Sequence, residues 1–175
     1  MNTYVKMDTT PNERISIGIQ ACDGYPYLAL HYDFSKEIYQ IAKKYGFDPY
    51  YKISQGTILH LLIKSYLNKV NTEELRFMLA EFKELVNAED AEGSTILHYF
   101  ANIILFDNEE HIQWLNLFLE YGCNKSLKIK NELTFGGGEG SVKEGATALD
   151  ILTKRIEAGN IKETSIFDKV KMLLL

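Results

Sequence analysis

Thr57-Ile58-Leu59-His60 recurs 38 positions later as Thr95-Ile96-Leu97-His98. The register continues past the four letters. Ile58, Leu59, Leu62, Ile63, Tyr66 and Leu67 map onto Ile96, Leu97, Phe100, Ala101, Ile104 and Leu105. That spacing draws one apolar stripe along an α-helix in each copy. A third, weaker copy is Gly145-Ala146-Thr147-Ala148-Leu149-Asp150-Ile151-Leu152. A second helical pattern follows each copy. Thr72 with Glu73 and Glu74 predicts the start of the first, which then carries Leu75, Met78, Leu79, Phe82, Leu85 and Val86. Asp107 or Asn108 caps the next, with Ile112, Leu115, Phe118 and Leu119; Ile166, Val170, Leu173 and Leu174 repeat the theme. The unit is helix–turn–helix–loop, used about three times. One such unit cannot bury its own apolar face, so stacking must make the core.

The 175 residues suit one domain, since domains run to roughly 100–200 residues. Hydrophobic residues are 46% and charged residues 25%, which excludes a disordered tail. Lys and Arg number 19 against 24 Asp and Glu, for a net charge of -5. A phosphate-binding stripe needs a basic surplus, so a nucleic-acid partner is not expected. The balance leans towards a basic partner. The two cysteines, Cys22 and Cys123, form neither a zinc pair nor a disulfide framework, and read as reduced thiols. The opening MNTYVKMDTTPNER has no apolar signal core, and no stretch approaches the roughly 18 apolar residues of a membrane span. A cytoplasmic protein without a membrane partner is expected, with secretion by a signal-less route left open.

Gly93-Ser94-Thr95-Ile96-Leu97-His98 resembles the G-x-T-P-L-H start of the ankyrin repeat family, with Ile in place of Pro. Leu119-Glu120-Tyr121-Gly122-Cys123-Asn124 and Tyr45-Gly46-Phe47-Asp48-Pro49 look like the turns that end its second helices. The resemblance covers roughly residues 35–175. It departs from the family in three ways. The proline is missing from all copies (Ile58, Ile96, Ala148), the copies are 38 and then 52 residues apart, and the family period is about 33. The second gap leaves about 19 extra residues over that period, placed in Asn124–Glu144. The first places a longer connection near Leu67–Asn71. The fold implied is mostly α: a short ankyrin-like solenoid of three to four repeats, with a long inter-repeat loop. Its approximate units are 35–55, 56–92, 93–144 and 145–175.

Residues 1–34 read as an N-terminal capping segment. Ile15, Ile17 and Ile19 alternate, Asp23-Gly24 signals a hairpin, and Tyr27–Tyr32 is the return strand. Ser35-Lys36-Glu37 then starts a helix that runs to Tyr45. A rival reading takes Leu30-His31 as the signature of a degenerate fourth repeat, and both stand on the sequence. The closing Leu173-Leu174-Leu175 lacks a polar outer face, which leaves self-association through this end open.

A catalytic or metal reading needs His, Cys and carboxylates converging in one site. Equivalent atoms of successive repeats lie about 10 Å apart, too far for a shared metal. The resemblance implies instead that His60 and His98 clamp backbone within their turns, beside Thr57, Thr95 and Thr147 and the turn glycines Gly93 and Gly145. Gly136-Gly137-Gly138-Glu139-Gly140-Ser141 ends in no G-K-[ST] and fails GxGxxG, so it reads as a loop tip. No G-x-S-x-G occurs. No catalytic residue, metal site or cofactor is expected.

The resemblance also implies partner contacts at loop tips and on the inner face of first helices. Those positions are Tyr51, Ile53, Ser54, Lys64 and Ser65; then Glu89, Ala91, Glu92, Ser94, Asn102 and Ile103; then Lys143, Glu144, Lys154 and Arg155. Phe135 joins them as a turn aromatic. This mixed-charge surface suits a protein partner of mixed or basic surface. The expected function is a protein-binding module that inhibits one partner, for instance an immunity protein against a toxin, its insertion plugging a concave site. An effector or scaffold recruiting a host protein is the alternative, and an enzyme with a hidden site, in the N-terminal segment or around Cys123, is the alternative of another class.

Overall fold

A computed structural model describes residues 36–44, 48–50, 56–66, 71–103, 109–135, 140–160 and 165–175. The expected N-terminal hairpin, the caps Asp107 and Asn108, and most of the glycine tip lie outside them. The chain divides into two compact units, 1–48 and 49–175. The first contributes helix α1, Lys36–Lys44, with Glu37 in its first turn and Lys43 and Lys44 in its last, as the helix dipole favours. Tyr39 and Ala42 are its buried residues among those described.

The second unit holds six α-helices among the described residues: α2 (Ile58–Tyr66), α3 (Thr72–Glu81), α4 (Ile96–Ile103), α5 (Glu110–Glu120), α6 (Ala148–Glu157) and α7 (Ser165–Leu174). Two short antiparallel strands, β1 (Leu133–Thr134) and β2 (Ser141–Val142), sit between α5 and α6. The protein is thus mostly helical. Helix α4 packs between α2 and α6, and α5 packs between α3 and α7; α6 also meets α7. The ring of Phe100 on α4 meets that of Phe118 on α5 edge-on at 5.1 Å, which ties one row of helices to the other.

The central position of α4 explains its composition. Every residue from Ile96 to Asn102 is buried. In α2, Ile58, Leu59, Leu61, Leu62 and Ile63 are buried. Burying such a side chain contributes about 2 kcal/mol relative to exposure, so these two helices hold the densest part of the core. The second-row helices bury a stripe only: Leu75, Met78 and Leu79 on α3; Trp114, Leu115, Leu117 and Phe118 on α5. Ile112 and Leu119 are half-buried.

Local differences from the sequence reading have local causes. The α3 cap is Asn71, not Thr72. Its Oδ1 accepts from the Glu74 N–H at 2.9 Å while Glu74 Oε2 accepts from the Asn71 N–H at 3.1 Å, a reciprocal capping box. The Thr72 hydroxyl reaches Glu110 on α5 instead. The second helix also stops early: α3 ends at Glu81, and Lys83–Leu85 form a single 3-10 turn that still buries Leu85 and Val86. Helix α5 ends as expected. Gly122, at φ +91°, lets Cys123 N–H bond Phe118 O and Gly122 N–H bond Leu119 O. Asn87 then joins this turn to the one before, donating to Gly122 O and accepting from Asn124 N–H.

The last helix carries one inward face and a mixed outer one. Phe167, Val170 and Leu174 face inward, Leu173 is half-buried, and Asp168, Lys169 and Lys171 are exposed. Met172 and Leu175 are the large apolar side chains left exposed there.

Candidate functional site

Three turns lead into α2, α4 and α6, and each is closed by a threonine and the residue three places on. In the first, Nδ1 of His60 accepts the Thr57 N–H at 3.1 Å, and the Thr57 hydroxyl lies 2.9 Å from the same nitrogen. Because Nδ1 accepts, Nε2 carries the proton and donates to Ser94 O at 2.9 Å. That carbonyl belongs to the next turn. The second turn repeats the geometry: Thr95 N–H to His98 Nδ1 at 2.9 Å, and His98 Nε2 to Leu127 O at 3.0 Å. Burial holds the His98 pKa below its usual value, against the raising pull of the Leu127 carbonyl, Asp90 and Glu89. In the third turn Asp150 stands where histidine stood. Its Oδ2 accepts from the Thr147 N–H and hydroxyl, both at 2.8 Å.

The projecting loops between rows, here called fingers, differ in build. The first spans 88–95. Asp90 Oδ1 accepts the Glu92 and Ser94 N–H groups, and Asp90 Oδ2 takes the Tyr99 hydroxyl at 2.5 Å. Gly93 sits at φ +77°, and a Cβ there would lie 2.5 Å from Lys130, so the second finger packs directly on the first. Glu92 O accepts both Lys130 and Asn131 N–H, and Lys130 pairs with Glu89.

The second finger is the long one. Its base is closed by Ile129 N–H to Ala146 O and Gly145 N–H to Ile129 O. Beyond the base, β1 and β2 pair Leu133 with Val142 and Thr134 with Ser141. The described arms of the insertion expected to plug a partner's site lie on the chain's own helices. Asn102 Nδ2 on α4 donates to Thr134 O at 3.1 Å, and β2 packs on α6. Phe135 and Val142 are buried beneath it.

These contacts sort the expected partner positions. Exposed are Lys64, Ala91, Glu92, Lys143, Glu144 and Lys154. Lys64 is held over the Tyr99 ring at 4.1 Å, and burial lowers its pKa against the pull of Asp90 and Glu92. Lys154 pairs with Glu157. Glu89 and Ile103 are half-buried. Ser94, Asn102, Phe135 and Arg155 are interior and offer a partner no surface, which corrects their assignment as contact positions. Arg155 donates to Ala101 O at 2.9 Å, carrying a cation from α6 to the last turn of α4. Burial lowers its pKa to about 10. Tyr51, Ile53 and Ser54 lie outside the described residues, as does the Ser65 side chain. Lys143, Glu144 and Lys154 do converge, with Ser141 and Asp150, on a cleft of about 450 Å³ between β2 and α6.

Sequence reasoning missed Tyr99 and Asp90, whose bond fixes the first finger, and Val142. It also missed Gly56, at φ +105° under the His60 ring. A signal existed for Gly56, since it precedes Thr57 as a glycine precedes the other two copies by one place more. No cluster of three His, Cys, Asp or Glu side chains among the described residues could hold a metal ion. No helix among them is long and apolar enough to cross a membrane. Cys123 is buried, donates to Val86 O at 3.7 Å, and has its thiol pKa pushed up to about 12 by that burial, so it stays protonated near neutral pH. No protein-family model matches the chain, and no curated protein or solved structure does either.

Proposed function

We propose that this chain is a protein-binding module without catalysis, a short helical solenoid of the ankyrin type, that holds and inhibits one protein partner as an immunity protein neutralises a toxin. One observation carries the reading: two consecutive Thr-x-x-His turns, each histidine bonded to the backbone of the following turn. This periodic cross-link ties each finger to the next and commits both histidines to scaffolding. The surface left for a partner is polar and of mixed charge: Lys64, Glu89, Ala91 and Glu92 at the first finger, Lys143, Glu144 and Lys154 at the second. Such a surface selects a protein of complementary charge and sets its association rate.

The test is a tagged pull-down from the native cell lysate with the double charge reversal Glu92→Lys, Lys154→Glu as control. One stoichiometric protein captured by the parent and lost by the variant, with helical circular dichroism unchanged, supports the reading. Its identity distinguishes an inhibitor from a scaffold. Capture that survives the reversal removes these fingers from the interface, and the absence of any partner removes the binding reading.

A further inference from the structure

We infer that the inner surface of α4 and α6 is a groove for an extended peptide with one aromatic anchor, and that the arms 131–135 and 140–143 of this chain's own hairpin fill it in cis. The inference goes beyond the binding reading, because it can be tested without any partner. Its first support is the finger base. The bonds between Ile129 and residues 145–146 close the loop below the hairpin, so the arms are not needed to complete the turn. The second is the chemistry under the arms. A strand pair only two residues long on each side cannot hold itself together in water. What seats it are two apolar side chains, Phe135 and Val142, and one amide, Asn102, that reads the Thr134 carbonyl. A side-chain amide that donates to a backbone carbonyl asks for a free carbonyl at that place and not for a particular side chain.

The third support is Gly140. It lies at φ +110°, and a Cβ there would stand 3.1 Å from the Phe135 ring and 3.8 Å from Ala158, just past α6. The returning arm is shaped to press the ring down at this place. A competing ligand must therefore supply an extended segment with one aromatic residue and a free carbonyl for Asn102.

The probe is a cyclised synthetic peptide of the sequence Asn131–Lys143. The receptor is the full chain carrying Phe135→Ala and Val142→Ser, which releases the arms. The released chain should keep its helical spectrum and cooperative melting and should bind the peptide, whereas the parent chain, whose groove is filled, should bind at least about tenfold more weakly. A peptide with alanine at the Phe135 position, or Asn102→Ala in the released receptor, should each weaken binding by about tenfold or more. A folded released chain that fails to bind the peptide overturns the inference. So does loss of the helical spectrum on releasing the arms, since the hairpin would then be core rather than occupant.

Discussion

The second and third turns make the same closure with different chemistry. Thr95 is closed by His98, and Thr147 by Asp150. Each acceptor takes the threonine N–H and thus satisfies a helix's first orphan donor. Only the imidazole has a second pole. Its Nε2 crosses to Leu127 O, while the carboxylate of Asp150 turns both of its bonds back on Thr147. Histidine therefore couples a unit to the next, whereas aspartate caps its own unit alone. His98 is also buried where Asp150 is exposed, so the same position is interior in one unit and surface in the other.

The largest break in that comparison is His98→Ala. It leaves the Thr95 N–H and the Leu127 carbonyl buried without partners, and should cost about 3 kcal/mol in urea unfolding. His98→Asn retains an acceptor for Thr95 but is too short for Leu127. Its expected cost is about 2 kcal/mol, and the cross-unit bond is the part this variant loses while still capping. Parent-like stability in the asparagine variant would reduce His98 to a cap.

Titration sharpens the same contrast. The folded pKa of His98 lies below the unfolded value of about 6.5, so the unfolded chain binds the extra proton first. Stability is then complete above about pH 6.5 and falls as pH drops below it, with a slope of at most about 1.4 kcal/mol per unit from this group. Urea midpoints between pH 7 and 5 should fall in the parent more steeply than in His98→Ala. Asp150→Ala should cost about 1 kcal/mol in urea unfolding, the value of a solvent-exposed cap. Smallest is Lys154→Ala. It breaks an exposed pair with Glu157 and should shift the midpoint by less than about 0.5 kcal/mol.

Much of the helical layout was legible because the stripe of α2 recurs residue for residue in α4. The second-row stripes were legible because Leu75, Met78, Leu79 and Phe118 keep helical spacing. Arg155 was misread for its charge. Ala148, Ile151, Leu152 and Arg155 stand on one face, and that spacing argued for burial where the residue type argued for solvent. The hairpin was illegible for a different reason. Two residues per strand give no alternation to read, and one of its anchors, Asn102, is distant in sequence from the Thr134 carbonyl that it holds. Phe135, expected as an exposed turn aromatic, is buried, because a sequence does not say which way a loop folds back.

The closed base of the second finger has a consequence for how such a chain can change. Stretching a spacing from 38 to 52 residues raises the entropy cost of joining the ends by only about 0.3 kcal/mol, since the cost grows with the logarithm of length. The bonds at Ile129 and Gly145 then hold the two ends of the loop together, while Thr134, Phe135 and Val142 beyond them still pack on the chain's own structure. The interval after Asn131 and before Gly145 is in effect a grafting port, where a new loop of similar length can be tried if it keeps two apolar residues in place of Phe135 and Val142 and a carbonyl for Asn102.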